Sequence, residues 1–238
     1  MIRALPEGTV VPTHIPVLTI ENTDPKCYWL TSFLETALLR AVWYPSTVAT
    51  ISYHAREIIM KYLKKTSEDP NAQIGFKLHD FGYRGVSSKE SGELGGLAHL
   101  LSFMGTDTMG ALVAAIEFYN AETAVGFSIP AAEHSTITSW GRDNEADAFS
   151  NMITQFAKPG SLVAVVSDSY DIYNAITNIW GKQLKSLVKQ SGATLVVRPD
   201  SGIPHEIVLE SLERLGAEYG YTTNKLGYKV LDPSVRVS

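Results

Sequence analysis

The segments LVAVVSDSYD (162–171) and TLVVRPDSG (194–202) decide how this chain folds. Each is a short, β-branched apolar run that ends in carboxylates and hydroxyls. Three runs of the same form lie upstream: KLHDFGYRG (77–85), HLLSFMGTDT (99–108) and GFSIPAAEHST (126–136). Counted from Asp80, Asp107, His134, Asp168 and Asp200, the steps are 27, 27, 34 and 32 residues. That step fits one strand plus one returning helix, so the pattern predicts parallel β/α architecture. Ligands in such folds sit where the strands end, which would bring the five signatures to one site. Strands are predicted near 76–81, 100–104, 125–129, 162–167 and 194–198. Helices are predicted near 108–120, 144–157, 170–190 and 204–218, with Gly181 a point where the third can divide.

Working outward, residues 8–20 (GTVVPTHIPVLTI) are β-branched and broken by Pro12 and Pro16, and read as a bent strand pair or edge strands. Asp24-Pro25 starts a helix, with Leu30, Phe33, Leu34, Ala37, Leu38 and Ala41 at helical spacing. Pro45 predicts a break. A second helix then carries Ile51, Ala55, Ile58, Ile59, Tyr62 and Leu63. TSEDPNAQ (66–73) reads as a polar loop and places a boundary between an N-terminal α+β segment, 1–73, and a β/α domain, 74–238. YKVLDPSVRVS (228–238) reads as the lead-in to a further strand near 235–237.

At 238 residues, 45% hydrophobic and 19% charged, the chain has an ordinary globular composition and length enough for a real core. A net charge of −5 argues against a broad nucleic-acid footprint. Cys27 is the single cysteine, which rules out an intrachain disulfide and cysteine zinc sites. Prolines occupy the N-terminal stretch where a secretory signal needs an apolar core. No apolar run is long enough to span a bilayer. A soluble cytoplasmic protein with no nucleic-acid or membrane partner is expected.

The signatures carry specific chemistry. In HDFGYRG (79–85), Phe81 could stack on a flat ring and Arg84 could hold a phosphate; a core Phe and a surface Arg fit equally well. Asp107 in GTDT (105–108) is either a binding carboxylate or a helix cap. His134 in PAAEHST (130–136) can act as nucleophile, base or metal ligand, or simply hydrogen-bond at a helix start. Asp168 and Asp171 in SDSYD (167–171) lie at a helix start that can bind an anion or cap itself. Arg198 and Asp200, two apart, would point to one side of a strand and could hold a phosphate and a sugar diol, or form a structural ion pair. No GxGxxG, Walker A, HExxH or GxSxG sequence occurs, and GELGG (92–96) reads as a glycine-containing loop.

Taken together, NTDPKCYWLTSFLET (22–36), WYPSTVAT (43–50), LHDFGYRGVSS (78–88), FMGTDT (103–108), PAAEHSTITSWG (130–141), VVSDSYDIYNA (165–175) and RPDSG (198–202) resemble the nicotinate/nicotinamide phosphoribosyltransferase family over essentially the whole chain. The resemblance implies a type II phosphoribosyltransferase-like fold, here an incomplete parallel β/α barrel after a small α+β segment. It implies transfer of phosphoribose from 5-phosphoribosyl 1-pyrophosphate to nicotinamide, giving nicotinamide mononucleotide and pyrophosphate. Mg²⁺ would accompany the pyrophosphate groups, and ATP hydrolysis would be coupled through a phosphorylated His134. Phe81 matches the family's ring-stacking aromatic, Asp107 its amide acceptor, and Arg84 a phosphate-contacting arginine. Arg198 matches a residue of the base pocket and Asp200 one near the ribose; Ser128, Ser167 and Asp171 match further pocket positions. A full-length family member is expected to be a homodimer.

Family enzymes are about twice this length. The resemblance therefore implies a chain truncated at both ends, without the N-terminal aromatic segment and the C-terminal Gly-rich phosphate loops. Two alternatives follow: a non-catalytic fragment or split-enzyme half that keeps the base pocket, and a nicotinate-specific relative. A carboxylate at Asp107 would accept from an amide N–H and repel a carboxylate substrate, which favours nicotinamide.

Overall fold

The computed structural model describes residues 1–238. Its contacts divide into two compact units, Met1–Ser128 and Ile129–Ser238. The architecture is mixed α/β with several small sheets, and no helix is long and apolar enough to cross a membrane.

In the first unit, β1 (Ile2–Ala4) pairs antiparallel with β2 (Leu18–Ile20), so most of the proline-broken stretch between them is irregular. Asp24 caps a short 3₁₀ turn, Pro25–Cys27, by accepting from the Lys26 N–H. Helix α1 (Leu30–Thr66) then runs 37 residues straight through Pro45. The expected break does not occur. Proline costs the ladder one N–H, the one that would meet the Ala41 carbonyl, and the chain stays helical on both sides of it. The apolar stripe of α1 is largely unburied within this unit; Phe33, Trp43 and Ile58 are exposed, and Ser52 is its only fully buried residue.

The TSEDPNAQ stretch contains a short helix, α2 (Pro70–Ile74), capped by Asp69. GELGG is helical as well, inside α3 (Lys89–His99), whose Ser88 cap accepts from the Ser91 N–H. Its glycines serve close packing and not a loop. A methyl group on Gly96 would lie 2.8 Å from the Ala111 Cβ in α4 (Met109–Tyr119), and one on Gly95 would lie 2.6 Å from the Tyr44 hydroxyl. Two strands are shorter than expected and one lies later. β3 is His79–Asp80, and it pairs in parallel with β4, Gly105–Thr106, in place of a strand at 100–104. Residues 100–104 form the exit from α3, with Phe103 buried and stacked on His99. The strand expected at 125–129 is reduced to one parallel bridge, Gly105 with Phe127.

The second unit holds the better-formed sheet. β5 (Leu162–Val166), β6 (Thr194–Arg198) and β9 (Val235–Val237) pair in parallel in that order, and Ala131 bridges to Ala164 on the far side of β5. Four of the five β5 residues are buried in succession, the mark of a strand covered on both faces. Helices α5 (His134–Thr138), α6 (Glu145–Phe156), α8 (Lys185–Ser191) and α9 (Pro204–Tyr219) supply the cover. Between β5 and α8 the chain forms α7 (Ile172–Asn174) and a π-helix, Ala175–Gln183. The predicted 170–190 helix is thus divided, with Gly181 inside the π turns. A Cβ there would meet Glu218 Cγ at 2.6 Å and the Ile176 carbonyl at 2.8 Å, so only glycine lets α9 approach. The core centres on Trp180, stacked on Phe149 at 4.6 Å with ring planes 5° apart. A hairpin of β7 (Tyr221–Thr223) and β8 (Lys229–Leu231), which the sequence pattern did not reveal, precedes β9.

Candidate functional site

The predicted residues fall into two groups, one in each unit. In the first, strand ends at Asp80, Asp107 and Phe127 lie side by side: the Asp107 N–H donates to the Asp80 carbonyl, and the Thr106 N–H to the Phe127 carbonyl. This order brings His79, Asp107 and Ser128 together. Asp107 Oδ1 accepts from His79 Nε2 at 2.9 Å and from the Ser128 hydroxyl at 2.5 Å. Its other oxygen, Oδ2, takes no bond from the chain. The helix-cap alternative for Asp107 does not apply, because Thr108 stands at the cap of α4 without a side-chain bond. Phe81 is exposed and lies against the His79 ring, 4.5 Å between centroids. Arg84 is exposed on the 3₁₀ turn Gly82–Gly85, and no ion pair holds it.

Two neighbours shape this group without facing a ligand. Asp80 accepts from the Gly82 N–H at 2.8 Å and the Thr106 hydroxyl at 3.2 Å, which fixes the turn that carries Phe81 and Arg84. His99 is buried between the Ser52 hydroxyl and the Gly105 carbonyl. Burial holds its pKa below the usual imidazole value, so a neutral ring donates from Nε2 to Gly105 and accepts at Nδ1 from Ser52. Its position pins β4.

In the second unit His134 opens α5, behind a reciprocal cap in which Thr136 donates to Glu133 and accepts from its N–H. His134 Nε2 lies 3.0 Å from Asp168 Oδ1, and Nδ1 lies 3.9 Å from Asp200 Oδ2. Asp168 is the organising residue; the SDSYD signature places it at a helix start, and its part in holding His134 is visible only in the fold. Its side chain is only 4% exposed, and Oδ2 accepts from the Asp200 N–H at 2.8 Å and the Ser201 hydroxyl at 2.6 Å. Burial pushes this carboxyl up, but the bonds from Ser201, Asp200 and His134 outweigh it and hold the pKa below the ordinary value. Asp168 is therefore ionised and accept-only, so Nε2 of His134 must donate. In the neutral ring the lone pair then sits on Nδ1, on the side of the exposed Asp200 carboxylate. The arrangement orients an imidazole and leaves one nitrogen free for proton transfer or nucleophilic attack.

Two of the remaining predicted residues bond within the chain. Asp171 caps α7, with Oδ1 accepting from the Tyr173 and Asn174 N–H groups. Ser167 is fully buried; its hydroxyl donates to the Val165 carbonyl and accepts from Trp180 Nε1. Arg198 ends β6, and its buried Nε has no partner in the chain; the buried Ser169 hydroxyl has none either. Asp200 lies beyond the strand end, so strand alternation does not align it with Arg198. The two form no ion pair, and Asp200 turns toward His134.

In each unit polar side chains gather at the ends of parallel strands, as in α/β proteins. The model of the nicotinate phosphoribosyltransferase (NAPRTase) family matches residues 76–237, and the chain belongs to that family. Among its relatives, the nicotinamide phosphoribosyltransferase of Xanthomonas campestris pv. campestris is 58% identical over 231 residues, 97% of this chain and 49% of that protein. The nicotinamide phosphoribosyltransferase of Acinetobacter baylyi is 33% identical over 98% of this chain and 50% of its own length. That of Mycoplasma pneumoniae is 32% identical over 93% and 49%. The chain spans about half the length of the curated relatives it matches.

Proposed function

We propose that this chain carries the base-binding and histidine-bearing parts of a nicotinamide phosphoribosyltransferase. The reaction joins nicotinamide to the anomeric carbon of 5-phosphoribosyl 1-pyrophosphate and releases pyrophosphate. One observation carries the choice of base: Asp107 has one oxygen tied to His79 and Ser128 and the other open. An open carboxylate oxygen accepts the carboxamide N–H of nicotinamide and repels nicotinate. A hydrogen bond to a charged group is worth roughly 1.5–3 kcal/mol. Asp107 is 41% exposed in this structure, which places the effect at the low end of that range. The names of the relatives point the same way.

In this reading Phe81 stacks on the pyridine ring, and Ser128 acts by tethering Asp107. Arg84 and Arg198 contact phosphate or the base pocket, where an unpaired buried Nε–H on Arg198 suits an acceptor from a ligand. Asp200 stabilises the cationic sugar that forms as the C–N bond is made. His134 accepts a phosphoryl group from ATP at Nδ1, while Asp168 holds the ring. Ser167 and Asp171 act indirectly, by fixing Trp180 and α7. No group of three or more His, Cys, Asp or Glu side chains is gathered to cage a metal. The residues present fit a Mg²⁺ that arrives with the diphosphate, keeps its water and touches one exposed carboxylate such as Asp200. Bound there, the ion would neutralise charge on the leaving group.

The same reading makes the chain part of a parallel β/α barrel with a domain boundary after residue 73, supported by a family match that begins at residue 76. It also makes the parent protein a cytoplasmic homodimer. A second reading, a non-catalytic part that only binds the base, is favoured by the half-length coverage of the relatives. Nicotinamide mononucleotide formation should be measured for the isolated 238-residue chain and for the full reading frame. Robust turnover by the chain alone eliminates the second reading. Competition between nicotinamide and nicotinate, with and without Asp107→Ala, tests the first. Nicotinamide should win in the parent and lose its advantage in the variant; equal use of both bases by the parent would overturn the assignment.

A further inference from the structure

His79 stands between the two groups assigned to the base, Phe81 and Asp107. The parallel register sets it opposite Gly105. From there its ring reaches across to the carboxylate, with Nε2 2.9 Å from Oδ1 of Asp107. A carboxylate only accepts, so Nε2 donates. The same ring lies against Phe81, 4.5 Å between centroids with the planes tilted by 31°. One imidazole therefore touches both the aromatic and the acceptor. The glycine opposite fixes where that imidazole lies. A methyl group on Gly105 would sit 2.6 Å from His79 Nδ1 and 3.3 Å from its Cγ, so the ring fills the place of a side chain at 105. The Gly105 backbone is held in turn: its carbonyl accepts from buried His99, and it bridges to Phe127. The second donor on Oδ1, the Ser128 hydroxyl, belongs to an exposed residue and can rotate about its C–O bond. The packed imidazole is the firmer of the two holds.

We propose that His79 is a positioning residue that sets the choice of base, by holding Oδ1 of Asp107 so that Oδ2 is the one acceptor left for a carboxamide, and that Gly105 is the residue that makes room for it. This deepens the reading of Asp107 as the amide acceptor and rests on it. A carboxylate turns about its Cβ–Cγ bond, and a free one must be ordered when a ligand binds. With one oxygen already held, that cost is met in the fold and the nicotinamide N–H finds a preorganised partner. Without the imidazole, Asp107 swings and nicotinamide loses affinity. Nicotinate gains little from the change, because the negative charge repels it in every rotamer. The preference therefore narrows from the nicotinamide side. Phe81 loses its neighbour in the same step, so both contacts to the base loosen together.

Kinetics of the full-length protein separate this role from support of the fold. His79→Leu keeps bulk and removes the donor, whereas His79→Gln keeps an N–H with the reach of Nε2. His79→Leu should raise KM for nicotinamide roughly tenfold, the low end for one bond to a charged acceptor, with KM for 5-phosphoribosyl 1-pyrophosphate unchanged. His79→Gln should recover most of that loss. Gly105→Ala, which alters neither Asp107 nor Phe81, should match His79→Leu by displacing the ring. In an Asp107→Ala background His79→Leu should add nothing further, because the two act as one unit. An equal loss in that background, or a Gln variant no better than Leu, overturns the proposal. Histidine-selective ¹⁵N labelling reads the positioning without turnover. The His79 ring should carry its proton on Nε2 in the parent, and its signals should shift in Asp107→Ala and in Gly105→Ala. A ring indifferent to both substitutions overturns the positioning. A ring that responds, while nicotinamide and nicotinate compete in Asp107→Ala as they do in the parent, refutes the part of Asp107 in base choice and leaves the hold on its carboxylate intact.

Discussion

Removing the Asp168 carboxylate should unfold the second unit more readily than any other single polar change in it. The side chain is 4% exposed and accepts three bonds, at 2.6, 2.8 and 3.0 Å. Bonds to a charged acceptor contribute roughly 1.5–3 kcal/mol each, and they do not add, because one buried charge serves all three. Asp168→Ala also removes the desolvation penalty of that charge, several kcal/mol for a buried ion. It leaves the His134 ring, the Asp200 N–H and the Ser201 hydroxyl without their acceptor. Balancing these terms, we expect a loss of about 3 kcal/mol for Asp168→Ala and about half that for Asp168→Asn, whose amide oxygen keeps one or two of the bonds. The assay is urea unfolding followed by tryptophan fluorescence, with exposed Trp29 and Trp43 changed to Phe so that Trp140 and Trp180 report. The pH dependence gives a second check. A carboxyl whose pKa is depressed on folding adds stability that is present above its ordinary value of 3.8 and is lost as pH falls through the folded value. The gap between parent and Asp168→Ala should therefore be full at neutral pH and narrow below about 4. A gap under ~0.5 kcal/mol at pH 7, or one that does not narrow in acid, refutes the assignment of Asp168 as an ionised three-way acceptor.

Gly96→Ala should lower stability by about 1–3 kcal/mol, because its methyl would meet Ala111 Cβ at 2.8 Å between two helices; a thermal melt of the chain measures it. Trp180→Phe should keep the stack on Phe149 and lose the bond from Nε1 to Ser167, for about 1 kcal/mol by urea unfolding. His134→Ala should abolish ATP hydrolysis coupled to transfer while leaving some base-dependent transfer; unchanged ATP hydrolysis removes the phosphohistidine role.

The second unit was the more legible in sequence because its strands are buried on both faces. A run such as LVAVV needs no periodicity to be recognised, and β5 and β6 fall within a residue of their expected bounds. In the first unit the pairings shrink to two residues, and polar and apolar positions carry little pattern. There two of the differences have one cause: Pro and Gly read as punctuation. Pro45 sits inside α1, which continues on both sides of it. Gly92, Gly95 and Gly96 sit inside α3 because Tyr83, Tyr44 and Ala111 fill the space a side chain would take. Whether a glycine marks a turn or a close approach depends on what packs against it, and that partner is distant in sequence.

The site divides along the same line. Positions marked by residue type were legible: an exposed aromatic beside a strand end, a carboxylate before a helix, a histidine among small residues. Residues whose role is set by partners were not. Asp168, Asp171 and Asp200 have the same side chain and lie in two signatures that share an Asp-Ser pair, yet one is a buried acceptor, one a helix cap and one an exposed carboxylate. The difference lies in which donors the fold delivers. The N–H of Asp200 and the hydroxyl of Ser201 reach Asp168 because β6 runs parallel to β5, with Val166 in register with Arg198. The loop after β6 therefore turns over the loop after β5. In a parallel sheet this cross-loop bonding makes one carboxylate the anchor of its neighbour's loop, and it frees the next carboxylate, Asp200, to face the imidazole that the first one holds.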